Sequence, residues 1–110
     1  MEIKKLSLEE KYSIFENYKE YIIDIKKFLE NKISNFKIFV FGSVVRKDYV
    51  LGLSDIDIAI VSNEFNDRNK RKTIDVLLFE KYFSYPYEFH LLTEEQWEFY
   101  KRFIDKFEEI

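Results

Sequence analysis

The stretch GSVVRKDYVLGLSDID, residues 42–57, holds the side chains with the most to offer chemically. Both glycines of the chain lie in it, Gly42 at its start and Gly52 shortly before Asp55 and Asp57. Glycine is used where the backbone must take a positive φ or come close to another group. Asp-x-Asp on a strand puts both carboxylates on one face, roughly 7 Å apart at the Cα atoms. Like charges so placed repel unless something positive sits between them. The pair is therefore expected to hold a cation. A hard divalent ion such as Mg²⁺ takes oxygen ligands, commonly one or two carboxylates together with substrate phosphates.

The same stretch offers a cradle for those phosphates. Lys37 to Phe41 (KIFVF) is a short apolar, β-prone run that ends at Gly42-Ser43. A strand that turns directly into a helix presents unpartnered N–H groups and the positive end of the helix dipole to an anion. Ser43 adds a hydroxyl, and Arg46, one turn on, adds a guanidinium suited to phosphate. A third acid is expected from Glu88, in the apolar-bracketed run after Pro86. His90 shares its face by the period of a strand and is expected to be a satisfied side chain beside the site rather than a ligand.

These residues need a scaffold. Ser7 and Glu10 form a capping box. After it Leu8, Phe15, Tyr18, Ile22, Ile25 and Leu29 recur at helical spacing, which predicts one long helix to about Ser34. Strands are predicted at 37–41, 55–61 and 87–92. In the second, Ile56, Ile58 and Ile60 alternate with Asp55, Asp57 and Ala59, so one face is core and the other carries carboxylates. Residues 66–83 read as a helix. Thr93 and Gln96 form a second capping box, opening a helix predicted to run to about Glu109. The order is α-β-α-β-α-β-α, counting the short segment after Gly42-Ser43 as the second helix. Alternation of this kind implies an α/β (α+β) domain, a small mixed sheet covered by helices.

With 110 residues the chain is expected to form a single domain, 1–110. Its aromatic content of 19% argues against disorder. It contains no cysteine, which excludes disulfides, thiolate metal sites and a cysteine nucleophile. No apolar run approaches the length of a membrane span, and the first residues lack a signal-peptide core, so a cytoplasmic location is expected. A net charge of −3 disfavours binding to bulk nucleic acid but not to a small anion. Within 66–72 (NDRNKRK) four basic residues face one acid. They form either a solvated helix start or a place where Arg68 or Arg71 leans toward a triphosphate or an acidic partner.

GSVVRKDYVLGLSDIDIAIV resembles the signature of the minimal nucleotidyltransferases, the MNT branch of the DNA polymerase β superfamily. That signature is Gly-Ser, a spacer, Asp-x-Asp and a later acid on a third strand. The spacer here, Val44 to Ser54, is eleven residues, one longer than the commonest form. Lys47 stands where a glycine often follows the motif arginine, and the third acid is Glu rather than Asp. The resemblance implies a nucleotidyltransferase fold over nearly the whole chain. It implies that Gly42 and Ser43 hold the triphosphate of an NTP, ATP by family habit, and that Asp55, Asp57 and Glu88 hold two Mg²⁺ ions. Many members of that branch are antitoxins paired with an all-helical HEPN ribonuclease, and some transfer AMP to a tyrosine of that toxin. A HEPN-type toxin is thus the implied partner. The two apolar stripes of the last segment, Trp97, Tyr100, Ile104 and Phe107 beside Phe99, Phe103 and Ile110, suit intramolecular packing, a homo-oligomer or such a partner.

Overall fold

The computed structural model describes residues 5–110. Its centre is a four-stranded sheet in the order β3-β2-β1-β4, with β1 at Lys37–Phe41, β2 at Ile56–Val61, β3 at Tyr87–Leu92 and β4 at Phe107–Glu109. β1 runs antiparallel to both β2 and β4, while β2 and β3 are parallel. Parallel neighbours need a crossover. It is supplied by a 3₁₀ turn at Asn63–Asn66 and the helix α4, Arg68–Tyr82. The other helices are α1 at Leu8–Glu16, α2 at Tyr18–Leu29, the single turn α3 at Ser43–Arg46, and α5 at Glu94–Tyr100. This is the small mixed sheet with helices that the sequence predicts, and both capping boxes are present.

One face of the sheet builds the main core. Ile38, Val40, Ile56, Ile58 and Ile60 are fully buried and meet Phe15, Ile22, Ile25, Leu29, Ile74 and Leu78 from α1, α2 and α4. The opposite face is covered more thinly. There Phe39, Ala59, Val61 and Leu92 pack on Trp97 of α5, and Phe39 stacks on its indole with ring centroids 4.5 Å apart. Toward Asp57 that cover thins out, and the carboxylate is left accessible.

Two predicted helices are corrected. The first is not continuous to Ser34: it breaks at Asn17, and its second half ends at Leu29. The Asn17 side chain and its own N–H both donate to the Ser13 carbonyl, at 3.1 and 2.9 Å. Short amides compete with the helix ladder in this way. The second correction is larger. The last helix stops at Tyr100, a 3₁₀ turn covers Lys101–Phe103, and the chain then extends as β4 along the outer edge of β1. The spacing that reads as one helical stripe is divided in the structure. Trp97 stays on α5, whereas Phe107 comes from β4 and meets both Phe39 and Trp97 edge-on. An open edge of β1, offering backbone partners and an aromatic pocket, outweighs weak helical periodicity in a short segment. Phe99 and Phe103 remain exposed and touch each other.

Candidate active site

β1 delivers the chain to Gly42, where φ is +86° and ψ −155°, backbone angles open to glycine alone. A Cβ built there would overlap Oδ2 of Asp57. Glycine is therefore required twice over, by conformation and by the close approach of the carboxylate. Gly52 also has φ +86° but faces open space, so it serves only the turn before Asp55. Val45 and Arg46 donate their N–H groups to the Gly42 carbonyl, at 3.1 and 3.2 Å, closing α3. By the geometry of a first turn, the N–H groups of Ser43 and Val44 have no partner within the helix. The turn ends at Lys47, whose φ of +65° is the one positive value at a non-glycine among the described residues. The backbone there wants the glycine that the resembling family often has.

The carboxylates come together through strand register. Asp57 lies directly opposite Glu88 on the parallel neighbour, and Ala59 opposite His90. Adjacent strands are about 4.8 Å apart, so two acids in register on one face are forced close. Burial and the nearby Asp57, together with a smaller push from Asp55, raise the Glu88 carboxyl above the usual carboxylate range, while His90 opposes this. His90 Nε2 lies 3.2 Å from Asp57 Oδ1 and 3.9 Å from Glu88 Oε1. One ligand-capable atom from each of Asp57, Glu88 and His90 falls within 4.8 Å of the others. Asp55, one residue before β2, is outside this trio but lines the same cleft.

That cleft, of about 340 Å³, is walled by Gly42, Ser43, Arg46, Asp55, Asp57 and Glu88. All six residues singled out from the sequence thus face one space. Arg46 is exposed and pairs with Asp48 at 3.2 Å. Phe41 adds to the wall of the cleft, and Phe103, Ile104 and Asp105, which the sequence does not place here, close it from the connection that leads into β4. Asp105 escapes a sequence reading because its place depends on that connection leaving the helix. His90 is a satisfied side chain beside the site, as the sequence predicts, and its partner is Asp57. Its i, i+2 relation to Glu88 was the available signal.

The chemistry of this donor set fits a divalent cation. Two carboxylates are held side by side with an imidazole at hand, and the charge repulsion felt by Glu88 is what a cation would relieve. The cleft places a glycine-led turn with a hydroxyl and a guanidinium against these acids, an arrangement suited to a phosphate ester and its counter-ion.

Residues 22–110 match the family model described as the nucleotidyltransferase domain. This chain belongs to that family. A crystal structure of a protein provisionally assigned as a nucleotidyltransferase is similar to it, with 41% sequence identity and a TM-score of 0.74 over 82% of this chain and 97% of that one. No curated protein matches at a significant level. The function this nucleotidyltransferase domain supports is nucleotidyl transfer. No described helix is long and apolar enough to cross a membrane.

Proposed function

We propose that this chain moves AMP from ATP to a hydroxyl of a partner protein, with Mg²⁺ bound at Asp55, Asp57 and Glu88. The observation that carries the reading is the single cleft on which Gly42, Ser43, Arg46 and all three acids open. The Ser43 and Val44 N–H groups and the Ser43 hydroxyl bind the triphosphate, and Arg46 swings from Asp48 to a phosphate oxygen. The acceptor oxygen attacks the α-phosphorus, a new P–O ester bond forms, and the bond to the bridging oxygen breaks to release pyrophosphate. Glu88, opposite Asp57 at the mouth of the same cleft, takes the hydroxyl proton. Two divalent ions would supply charge neutralisation on both sides of such a displacement. His90 holds the Asp57 carboxylate in orientation. The implied acceptor is a HEPN-type toxin, with this chain as its antitoxin.

Calorimetric titration of ATP into the protein, with and without Mg²⁺, tests the site. Mg²⁺-dependent binding that disappears in Asp55→Asn/Asp57→Asn is the expected result. Absence of binding in the wild-type protein under both conditions overturns the reading and leaves an antitoxin that acts by contact.

A further inference from the structure

β3 is the end strand of the sheet, and one side of its backbone has no strand beside it. The Pro86 and Leu92 carbonyls accept from Ile56 and Ser62, at 2.7 and 2.9 Å, on the β2 side. Backbone groups of a strand alternate in direction, so those of Tyr87, Phe89 and Leu91 point outward. A groove of about 390 Å³ follows this edge past Phe89, His90, Leu91 and Leu92. Its far wall is α4. Arg68, Arg71, Lys72 and Asp75 fall at i, i+3, i+4 and i+7 there, one stripe of the helix turned to the groove.

The stripe is three positive charges to one negative. Among the described residues no ion pair engages Arg68, Arg71 or Lys72, whereas Lys70, on another side of the helix, reaches Glu64 at 3.7 Å. Cations near a helix start, here Arg68 and Arg71, oppose the helix dipole. Asp67 offsets part of this by capping the Asn69 and Lys70 N–H groups. His90 links the groove to the catalytic cleft: it lines the groove and contacts Asp57, which lines the cleft. The groove includes none of Gly42, Ser43 or Arg46, so it is separate from the triphosphate cradle.

Resting on the protein acceptor proposed above, we infer that this groove is where the acceptor docks, by laying an extended, acidic segment along the free edge of β3. The segment's backbone pairs with the outward N–H and C=O groups of Phe89 and Leu91, and its carboxylates meet Arg68, Arg71 and Lys72. Followed past His90, the same edge leads in two residues to Glu88, which brings a hydroxyl carried on the segment to the acids. A nucleic-acid strand would satisfy the cations but not the row of peptide donors and acceptors.

The probe is a fluorescein-labelled peptide of alternating Glu and Val with one Tyr, equal in length to the six residues of β3. Fluorescence anisotropy should show it binding the wild-type protein, weakened about tenfold or more by Arg68→Glu/Arg71→Glu and little by Arg68→Lys/Arg71→Lys. Hydrogen exchange should show the Phe89 and Leu91 amides protected by the peptide. The Mg²⁺–ATP titration should be the same in all three proteins, so failure of nucleotide binding, which concerns the cleft, is read separately. Absence of peptide binding, binding indifferent to charge reversal, or binding without protection of those two amides overturns the inference. So does tighter binding of a single-stranded RNA of equal charge, which would make the groove a nucleic-acid site.

Discussion

The two faces of β2 are unlike in what covers them. On one, Ile56, Ile58 and Ile60 are completely buried under α1, α2 and α4. On the other, Asp57 keeps about a quarter of its side chain accessible, and beyond it Ala59 and Val61 disappear beneath Trp97. One strand thus serves stability with its even residues and, at one odd position, Asp57, offers a carboxylate to the cleft. The division lets the acids repel each other at little risk to the fold, because the side chains that hold the strand in place are on the far face.

Substitution on each face should separate the two roles. Ile58→Ala is expected to lower the free energy of unfolding by about 3–4 kcal/mol, read by urea denaturation, while Mg²⁺–ATP affinity in the folded protein persists. Asp57→Asn should do the reverse, abolishing Mg²⁺-dependent binding while leaving the unfolding midpoint unchanged or slightly raised, since it removes a charge facing Glu88. A smaller effect, and of opposite sign, is expected at the C-terminal end of α3. Lys47→Gly should stabilise the protein by about 0.5–1 kcal/mol, since the left-handed backbone there suits glycine. A result of zero would mean that the greater freedom of glycine in the unfolded chain cancels the gain.

The smallest expected effect is on β4. Glu108 takes an ion pair from Lys19 at 2.7 Å and a hydrogen bond from the Tyr18 hydroxyl at 2.5 Å. The hydrogen bonds from Lys19 and Tyr18 hold its carboxyl below its ordinary value of 4.5. A depressed carboxyl contributes stability above the unfolded-state value and loses it as pH falls through the folded one. The unfolding free energies of wild type and Glu108→Gln, read by urea denaturation, should therefore differ by about 0.5 kcal/mol at neutral pH and converge as pH falls below 4.5 through the lowered folded-state value.

Much of the cleft was legible because its parts are local. Gly-Ser after an apolar run, Asp-x-Asp inside an alternating strand and an acid two residues past Pro86 each announce themselves within a few residues. The strands need only be brought into one sheet for all six residues to face the same space. What escaped depends on tertiary contact. The break at Asn17 rests on one side chain choosing the Ser13 carbonyl, a choice open to any helical asparagine. β4 is three residues with no alternation, and only the open edge of β1 makes it a strand. Asp105 enters the cleft as a consequence of β4. The spacing of His90 two residues from Glu88 puts both on one face, but its pairing with Asp57 follows from the register of β2 against β3.

β4 also bears on how copies of this chain meet. It is joined to the body by a short extended connection after the 3₁₀ turn, and the register that seats Phe107, Glu108 and Glu109 on β1 is the same whoever donates it. If it peels away at high protein concentration, it can close on the β1 of a neighbour while that neighbour's strand closes in return. Exchange of this kind gives a domain-swapped dimer with no new contacts beyond the hinge. Since Ile104 and Asp105 lie in the connection that would have to open, such an exchange would rebuild that wall of each cleft.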